Sequence, residues 1–361
     1  MSLAIIRGIR LAGVASAVPA ASQPISEAGA LFGADDVEKV SKSTGVERRH
    51  LSSGKLVTSD LCYSAAHRLL AELKWEPASV DALVFVSQTC DFPGIPATSC
   101  VLQNRLGLST ECAGFDVGLG CSGYVYGLWV AASLLAASRF SRALVLVGDV
   151  INRVCSPQDR STALLFGDAG SATALEQDAS AQPMTFCLGT DGSGWKNLVI
   201  PAGGLRLPRN PGTAVRAKAE GGNLRSPEDL FMDGGEVFAF TLREVPALVE
   251  KVLKAAGWST GEVEYFLFHQ ANKFMLSHLA KFMKVPLVKV PLSLQDFGNT
   301  SSASIPLTIN ARLPEVLRSR SARLLLAGFG VGYSWAGCTM SCGPIVVPEV
   351  ILVEESEAWP C

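Results

Sequence analysis

Short apolar segments with strand character alternate with helical segments along most of this chain, and this alternation constrains the fold more than any other feature. The segments with strand character are Val80 to Ser87, Arg142 to Gly148 and Arg323 to Gly328, and the helical patterns cover Ser59 to Lys74, Cys121 to Ala137, Phe238 to Ala256 and Phe274 to Met283. Alternation of this kind is typical of layered α/β proteins, in which helices cover the faces of sheets. The sequence therefore predicts an α/β fold.

The chain also divides into two halves with the same order of features. In each half a helix leads to an acidic-flanked strand, at residues 80–87 or 262–268, then to a candidate reactive residue, and later to a strand ending in glycine. A segment rich in glycine, proline and charge lies between them, and long loops in compact domains are usually functional. We predict a first half over residues 1–188, a crossover covering the site entrance over 189–235, and a second half over 236–361.

Composition excludes several classes of protein. With 361 residues and 48% hydrophobic content the chain can bury a large core, and its net charge of −2 argues against nucleic-acid binding. No apolar run reaches the ~20 residues of a membrane span. The ten cysteines are mostly scattered singly, which favours reduced thiols in the cytoplasm over disulfides or a metal site. Residues 1–21 imitate a short signal peptide, but Ile5 to Leu11 also has the pattern of a strand.

Cys121 is the first candidate for chemistry. It follows a glycine-rich approach, Asp116 to Gly120, and precedes an apolar helical stretch. The positive end of a helix dipole and unpaired backbone N–H groups favour the thiolate over the thiol. We therefore predict that Cys121 is a nucleophile, although a free cysteine taken at random is more often a small buried hydrophobe.

Two distant segments provide partners for this cysteine. Phe266 to Asn272 is an apolar run that ends in His269 and polar residues, and Gly298 to Pro306 places Asn299 among small polar residues. Taken singly, a histidine is more often structural and an Asn-Thr-Ser-Ser run is more often a loop or a helix cap. Cys, His and Asn brought together by a fold are the groups that thiol-based acyl transfer requires.

These segments, in this order, resemble the β-ketoacyl-acyl carrier protein synthase III family of the thiolase fold. The motifs that carry the resemblance are Asp116 to Gly123, His269 to Asn272, Gly298 to Pro306 and Gly328 to Trp335, with further similarity in Thr44 to Arg49 and Pro157 to Thr162. The resemblance implies a duplicated five-layered αβαβα architecture. It also implies decarboxylative condensation of an acyl thioester with a malonyl thioester to a 3-oxoacyl product, through an acyl-cysteine intermediate.

The resemblance also implies roles for single residues. Cys121 would hold the acyl group, and the backbone N–H groups of Cys121 and Val331 would bind the oxyanion. His269 and Asn299 would bind the carbonyl of the malonyl extender, beside an apolar wall formed by Phe329. No permanently bound cofactor or metal is implied, since thioesters of coenzyme A or of acyl carrier protein are the substrates. A cytoplasmic homodimer is the expected assembly.

Contacts with the donor are where the chain departs from the family. Arg160 resembles the family's contact with coenzyme A, and Asn272 would line the pantetheine tunnel. Lys39 and Ser43, however, replace the tryptophan and arginine that enclose the adenine in the family, a loss on the scale of ~1–3 kcal/mol. We therefore expect a donor on a carrier protein, or on a short pantetheine mimic, to be used at least as well as one on coenzyme A.

Two further departures concern the carrier protein and the acyl chain. Phe274 stands where the family places a basic docking residue, so Lys273, Lys281 and Lys284 predict a shifted basic patch. Ile95 resembles the gate of the acyl pocket, where a smaller branched side chain would admit a longer or branched acyl group. The departures at Lys39 and Phe274 favour a specialised pathway over the first step of fatty-acid synthesis.

Other functions use the same residues. One is acyl transfer to oxygen or nitrogen without decarboxylation, although Asn299 would then have no malonyl carbonyl to bind. Another is a non-catalytic partner subunit of a condensing heterodimer, which would have no need of an intact Cys121, His269 and Asn299. The related hydroxymethylglutaryl synthase chemistry requires a glutamate base that the sequence does not identify.

Overall fold

Two mixed β-sheets lie at the centre of the computed structural model, which describes residues 1–360; within that range one sheet has six strands and the other has five. The first sheet consists, in spatial order, of Ile351–Val353, Ile9–Pro19, Ala169–Gln177, Arg142–Asp149, Ala82–Val86 and Ala113–Val117. The second consists of Ser2–Ile6, Met184–Thr190, Ser334–Cys342, Ala322–Gly330 and Tyr265–Phe268. The predicted strand over Ile5 to Leu11 is in fact two strands, because Gly8 adopts a φ of +72° between them.

The two sheets share one pattern of strand connections. In each sheet four strands are connected in the same way. The first pairs antiparallel with the second, the second pairs antiparallel with the third, and the third pairs parallel with the fourth. In the first sheet these strands are Ile9–Pro19, Ala169–Gln177, Arg142–Asp149 and Ala82–Val86. In the second they are Met184–Thr190, Ser334–Cys342, Ala322–Gly330 and Tyr265–Phe268. This repeat is the predicted duplication.

Helices form three layers around the sheets. Gly123–Ala137 and Ser304–Arg312 contact strands of both sheets and therefore form the central layer. Thr58–Leu73 packs on the first sheet, while Gly234–Ala256 packs on the second, with Lys273–Phe282 beside it. The other α-helices are Gly29–Phe32, Ala34–Thr44, Thr98–Arg105, Arg160–Ala163, Leu294–Phe297 and Pro314–Ser319. The resulting order of layers is the αβαβα arrangement of the thiolase fold.

The crossover between the halves is rich in turns and contains two pairs of short antiparallel strands. Leu198–Val199 pairs with Phe231–Met232, and Ala217–Lys218 pairs with Leu224–Arg225. The predicted boundary after residue 188 falls inside the strand Met184–Thr190, which belongs to the second sheet. The division into a first half, a crossover over 189–235 and a second half stays a prediction.

No helix in residues 1–360 is long and apolar enough to cross a membrane. The nine cysteines in that range are free thiols, and the tenth, Cys361, lies outside the described residues. Within the same range no group of three or more histidine, cysteine, aspartate or glutamate side chains is arranged to hold a metal ion.

Candidate active site

A single cavity between the two halves brings together residues that lie far apart in the chain. Cys121, His269 and Asn299 all line it, with Phe329 and Val331 beside them, and its volume is about 90 Å³. The covering wall comes from the crossover, through Leu198, Leu230 and Met232. The sequence predicted that the crossover covers the entrance but did not identify these three residues, because apolar side chains in an irregular loop have no periodicity.

Cys121 is held between a turn and a strand of the other half. The strand Ala113–Val117 ends just before the glycine-rich turn, and the helix begins at Gly123, two residues after the cysteine. A β-carbon on Gly330, where φ is +156°, would lie 2.9 Å from the Cys121 Sγ. Only glycine at position 330 lets the strand approach the nucleophile this closely.

Burial is the largest influence on the ionisation of Cys121. The side chain is 8% exposed, and desolvation raises the pKa of the thiol to about 12, with the charge of Asp149 as a second cause. The backbone N–H groups of Val331 and Cys121 and the Ser301 hydroxyl act in the opposite direction. The prediction that the helix start favours the thiolate is therefore wrong for the resting state, because removal from water costs the charged form more than these donors restore.

His269 is a neutral, firmly held imidazole. It follows the strand Tyr265–Phe268, its Nδ1 lies 2.8 Å from the Ser304 Oγ, and its ring meets Phe329 edge-on at 5.7 Å between centroids. Burial lowers the pKa of His269 to about 3, against the opposing effect of the Ser301 carbonyl. A neutral imidazole can accept a proton from a thiol and can also donate a hydrogen bond to a carbonyl.

Asn299 is oriented by the loop that carries it. Its Oδ1 accepts a hydrogen bond of 3.0 Å from the backbone N–H of Ser301, a residue with a left-handed φ of +50°. Its Nδ2 donates a long bond of 3.5 Å to the Ala271 carbonyl. Since the oxygen is occupied by a backbone donor, the amide NH₂ is the group left to interact with a substrate in the cavity.

Three other predicted site residues have different surroundings. Asn272 lines the cavity, but its Oδ1 also caps the helix Lys273–Phe282 by accepting the Met275 N–H at 2.8 Å. Arg160 does not line the cavity, and its guanidinium forms an ion pair with Asp36. Ile95 does not line it either and is 87% exposed, and its role as the gate of the acyl pocket stays a prediction.

The residues at which the chain departs from the family pattern lie on the surface. Lys39 is exposed and pairs with Asp36 at 3.3 Å, and the Ser43 Oγ donates to the Val40 carbonyl. Phe274 is half exposed and packs against His278 in a tilted arrangement, with ring centroids 4.1 Å apart. The three lysines of the predicted basic patch are all exposed, at positions 273, 281 and 284.

Together, the duplicated five-layered fold and a buried cysteine beside a neutral histidine define a thiolase-fold acyltransferase. Residues 115–192 match a sequence model described as 3-oxoacyl-[acyl-carrier-protein] synthase III, and residues 253–342 match the model of its C-terminal part. β-Ketoacyl-[acyl-carrier-protein] synthase III 3 of Streptomyces coelicolor is 32% identical over 339 residues, covering 92% of this chain and 96% of the relative.

Two further relatives agree. The β-ketoacyl-[acyl-carrier-protein] synthase III of Caldanaerobacter subterraneus is 31% identical over 300 residues, covering 83% of this chain and 87% of its own. The crystal structure of a 3-oxoacyl-(acyl-carrier protein) synthase from Burkholderia xenovorans LB400 superposes with a TM-score of 0.92 at 43% identity, covering 98% of this chain and 99% of that one. The chain belongs to the β-ketoacyl-acyl carrier protein synthase III family.

The burial of His269 predicts how the unfolding free energy depends on pH. The pKa of His269 is about 3 in the folded state and about 6.5 in the unfolded chain, so its contribution to stability is present above pH 6.5 and lost as the pH falls towards 3. Between pH 7 and pH 5 we expect the wild type to lose about 2 kcal/mol more unfolding free energy than His269→Gln, at 1.36 kcal/mol per unit. Urea unfolding of both proteins at the two pH values measures this, and an equal loss would show that His269 is not held neutral.

Proposed function

We propose that this protein joins an acyl group held on Cys121 to a malonyl-derived carbon with loss of carbon dioxide. The observation that carries the proposal is the convergence of Cys121, His269 and Asn299 in one buried cavity, where the NH₂ group of Asn299 donates only one long bond, to the Ala271 carbonyl, among the described residues. A cysteine alone would support acyl transfer to any acceptor. The two neutral donors beside it are suited to an enolate oxygen, which carries negative charge only while the extender reacts.

The first half-reaction loads the cysteine. As the Cys121 Sγ attacks the donor carbonyl, the thiol proton passes to neutral His269, and the departing thiolate of the donor accepts this proton from His269 and leaves as the thiol. The family resemblance assigns the tetrahedral oxyanion to the backbone N–H groups of Cys121 and Val331, and both groups lie near enough to the Sγ to lower the pKa of the thiol. The product is a neutral acyl thioester on Cys121.

The second half-reaction forms the new bond. His269 and Asn299 bind the thioester carbonyl of the malonyl group, the bond to its carboxylate breaks, and carbon dioxide leaves. The resulting enolate carbon attacks the acyl group, Cys121 departs as a thiolate, and one proton from solvent restores the thiol. Phe329, which meets the His269 ring edge-on, provides an apolar wall where a carboxylate is less stable than carbon dioxide.

The experiment that tests the proposal combines both half-reactions. The purified protein is incubated with a panel of acyl thioesters on pantetheine and weighed intact, and a malonyl thioester is then added. We expect a covalent acyl adduct that disappears as carbon dioxide and a 3-oxoacyl product form. An adduct that is released only to an alcohol or an amine would contradict decarboxylative condensation.

The donor is proposed to arrive on a carrier protein at least as well as on coenzyme A. Arg160, which resembles the family's coenzyme A contact, is already engaged by Asp36, and Lys39 and Ser43 offer no stacking surface for adenine. Lys273 follows Asn272, which lines the cavity, and the exposed Lys281 and Lys284 complete the proposed basic patch. A carrier protein with an acidic docking face complements such a surface.

Salt dependence tests this docking. We expect the specificity constant for one acyl group on carrier protein to equal or exceed that on coenzyme A, and to fall as salt rises, since exposed charges are screened over ~8–10 Å near physiological ionic strength. Lys281→Ala should weaken the use of carrier protein. Lys254→Ala, at the end of its helix remote from the cavity, is the matched control. A strong preference for coenzyme A with no effect of salt on the carrier would contradict the proposal.

We propose that the protein is a cytoplasmic homodimer. We also propose that it acts in a specialised pathway, because Lys39 and Phe274 depart from the family pattern. Support comes from the resemblance to the family and from the free thiols of residues 1–360. The chain mass is 38.1 kDa, so light scattering on the purified protein should give twice that value. A particle with the mass of one chain would contradict the dimer.

A further inference from the structure

Asp149 is a buried carboxylate that takes no part in the proposed half-reactions, although its charge raises the pKa of Cys121. It ends the strand Arg142–Asp149 and is 0% exposed. Among residues 1–360 no arginine, lysine or histidine forms an ion pair with it. A buried charge without a counter-charge is retained only where hydrogen bonds replace its hydration.

Six hydrogen bonds satisfy this carboxylate, and they come from two different parts of the fold. The Oδ1 accepts from the Ser87 Oγ at 3.1 Å, the Gln88 N–H at 2.9 Å, and the Thr89 N–H and Oγ1 at 3.2 and 3.1 Å. The Oδ2 accepts from the Ser302 N–H at 3.2 Å and from its Oγ at 2.8 Å. Asp149 therefore ties the loop after the strand Ala82–Val86 to the turn that follows Asn299.

The residue before Ser302 contacts all three proposed catalytic residues. The Ser301 N–H donates to the Asn299 Oδ1 at 3.0 Å, its hydroxyl lowers the pKa of Cys121, and its carbonyl raises the pKa of His269. Ser301 makes these contacts with a φ of +50°, a conformation that is unfavourable for a residue with a β-carbon. Such a conformation persists only where the neighbouring structure holds it.

We propose that Asp149 is a positioning residue for the condensation half-reaction, holding the turn Ser301–Ala303 so that Asn299 and Ser301 face Cys121 and His269. The expected effect on condensation rests on the proposed function, whereas the expected effect on the position of the turn does not. Ser302 occupies a position that the quoted motif leaves open, and its hydroxyl donates to the Asp149 Oδ2 at 2.8 Å. The side chain that this arrangement orients is Asn299, because among residues 1–360 its Oδ1 accepts a hydrogen bond only from the Ser301 N–H.

The first test uses Asp149→Asn, which keeps the volume of the side chain. Its oxygen can still accept from residues 87–89, but an NH₂ group then faces the Ser302 N–H and that bond is lost. We expect decarboxylation of the malonyl thioester to fall by about 10- to 100-fold, the lower part of the range for losing one oxyanion donor. Acylation of Cys121, followed by intact mass, should fall less than about fivefold.

Two further variants separate positioning from folding. Ser302→Ala should lower decarboxylation in the same direction but by less, because the backbone N–H remains. The effects of Ser302→Ala and Asp149→Asn should not be additive in the double variant, since both changes weaken the same contact between Asp149 and Ser302. Ser171→Ala, a buried serine bonded to Ser16 and to the Ala15 carbonyl, is the matched control and should leave the ratio of the two half-reactions unchanged.

Hydrogen exchange provides a measurement that needs no turnover. In Asp149→Asn the peptide over residues 298–305 should exchange at least tenfold faster, and the peptide over 123–137 should not change. Unchanged exchange at 298–305, or equal losses in both half-reactions, would overturn the inference. Failure of the wild type to accept an acyl group from any donor would instead contradict the proposed function, while the exchange measurement would still decide the role of Asp149.

Discussion

Replacement of Cys121 by alanine is expected to give a folded protein that accepts no acyl group and forms no condensation product. Of the nine cysteines in residues 1–360, only Cys121 lines the cavity that also contains His269 and Asn299. Removing a covalent nucleophile eliminates the intermediate on which both half-reactions depend, so we expect turnover to fall by ~10⁴-fold or more. Intact mass after incubation with an acyl thioester measures the adduct, and product analysis measures turnover.

The matched control for this result is Cys155→Ala. Cys155 is also buried, and burial raises its pKa to about 12, yet it does not line the cavity. It should leave acylation and turnover close to wild type. An adduct that persists in Cys121→Ala, or that maps to Cys112 in the wild type, would refute the assignment of the nucleophile.

Asn299→Ala is expected to separate the two half-reactions. Its NH₂ group is proposed to bind the extender carbonyl and has no part in loading the cysteine, so the acyl adduct should still form. Decarboxylation of the malonyl thioester should fall by ~10²–10³-fold, as for loss of one oxyanion donor. The two rates are measured separately, by intact mass for acylation and by release of carbon dioxide for condensation.

Asn104→Ala, at an exposed asparagine on the helix Thr98–Arg105, controls for the substitution itself. Equal loss of both half-reactions in Asn299→Ala would indicate that the asparagine only supports the fold of its loop. Undiminished transfer to an alcohol or an amine would favour the acyltransferase that does not decarboxylate.

Much of the secondary structure could be predicted because its causes are local. The helix predicted over Ser59 to Lys74 spans Thr58–Leu73, and the one predicted over Phe274 to Met283 spans Lys273–Phe282. Apolar periodicity and backbone preferences act over a few residues and are legible in a single sequence. The exception in Ile5 to Leu11 arises because one glycine divides a continuous apolar run between two sheets.

Motif order predicted Cys121, His269 and Asn299 as the site, and one cavity brings these three side chains together, while their catalytic roles stay predictions. Tertiary structure alone decided their electrostatics and their supports. The rise in the Cys121 pKa depends on how completely distant segments exclude water, and the Asp149 carboxylate finds Ser302 only across the fold. Exposure of Ile95 and pairing of Arg160 with Asp36 are likewise long-range outcomes. Local sequence specifies which groups are present, whereas desolvation and pairing between distant groups are fixed only when the chain has packed.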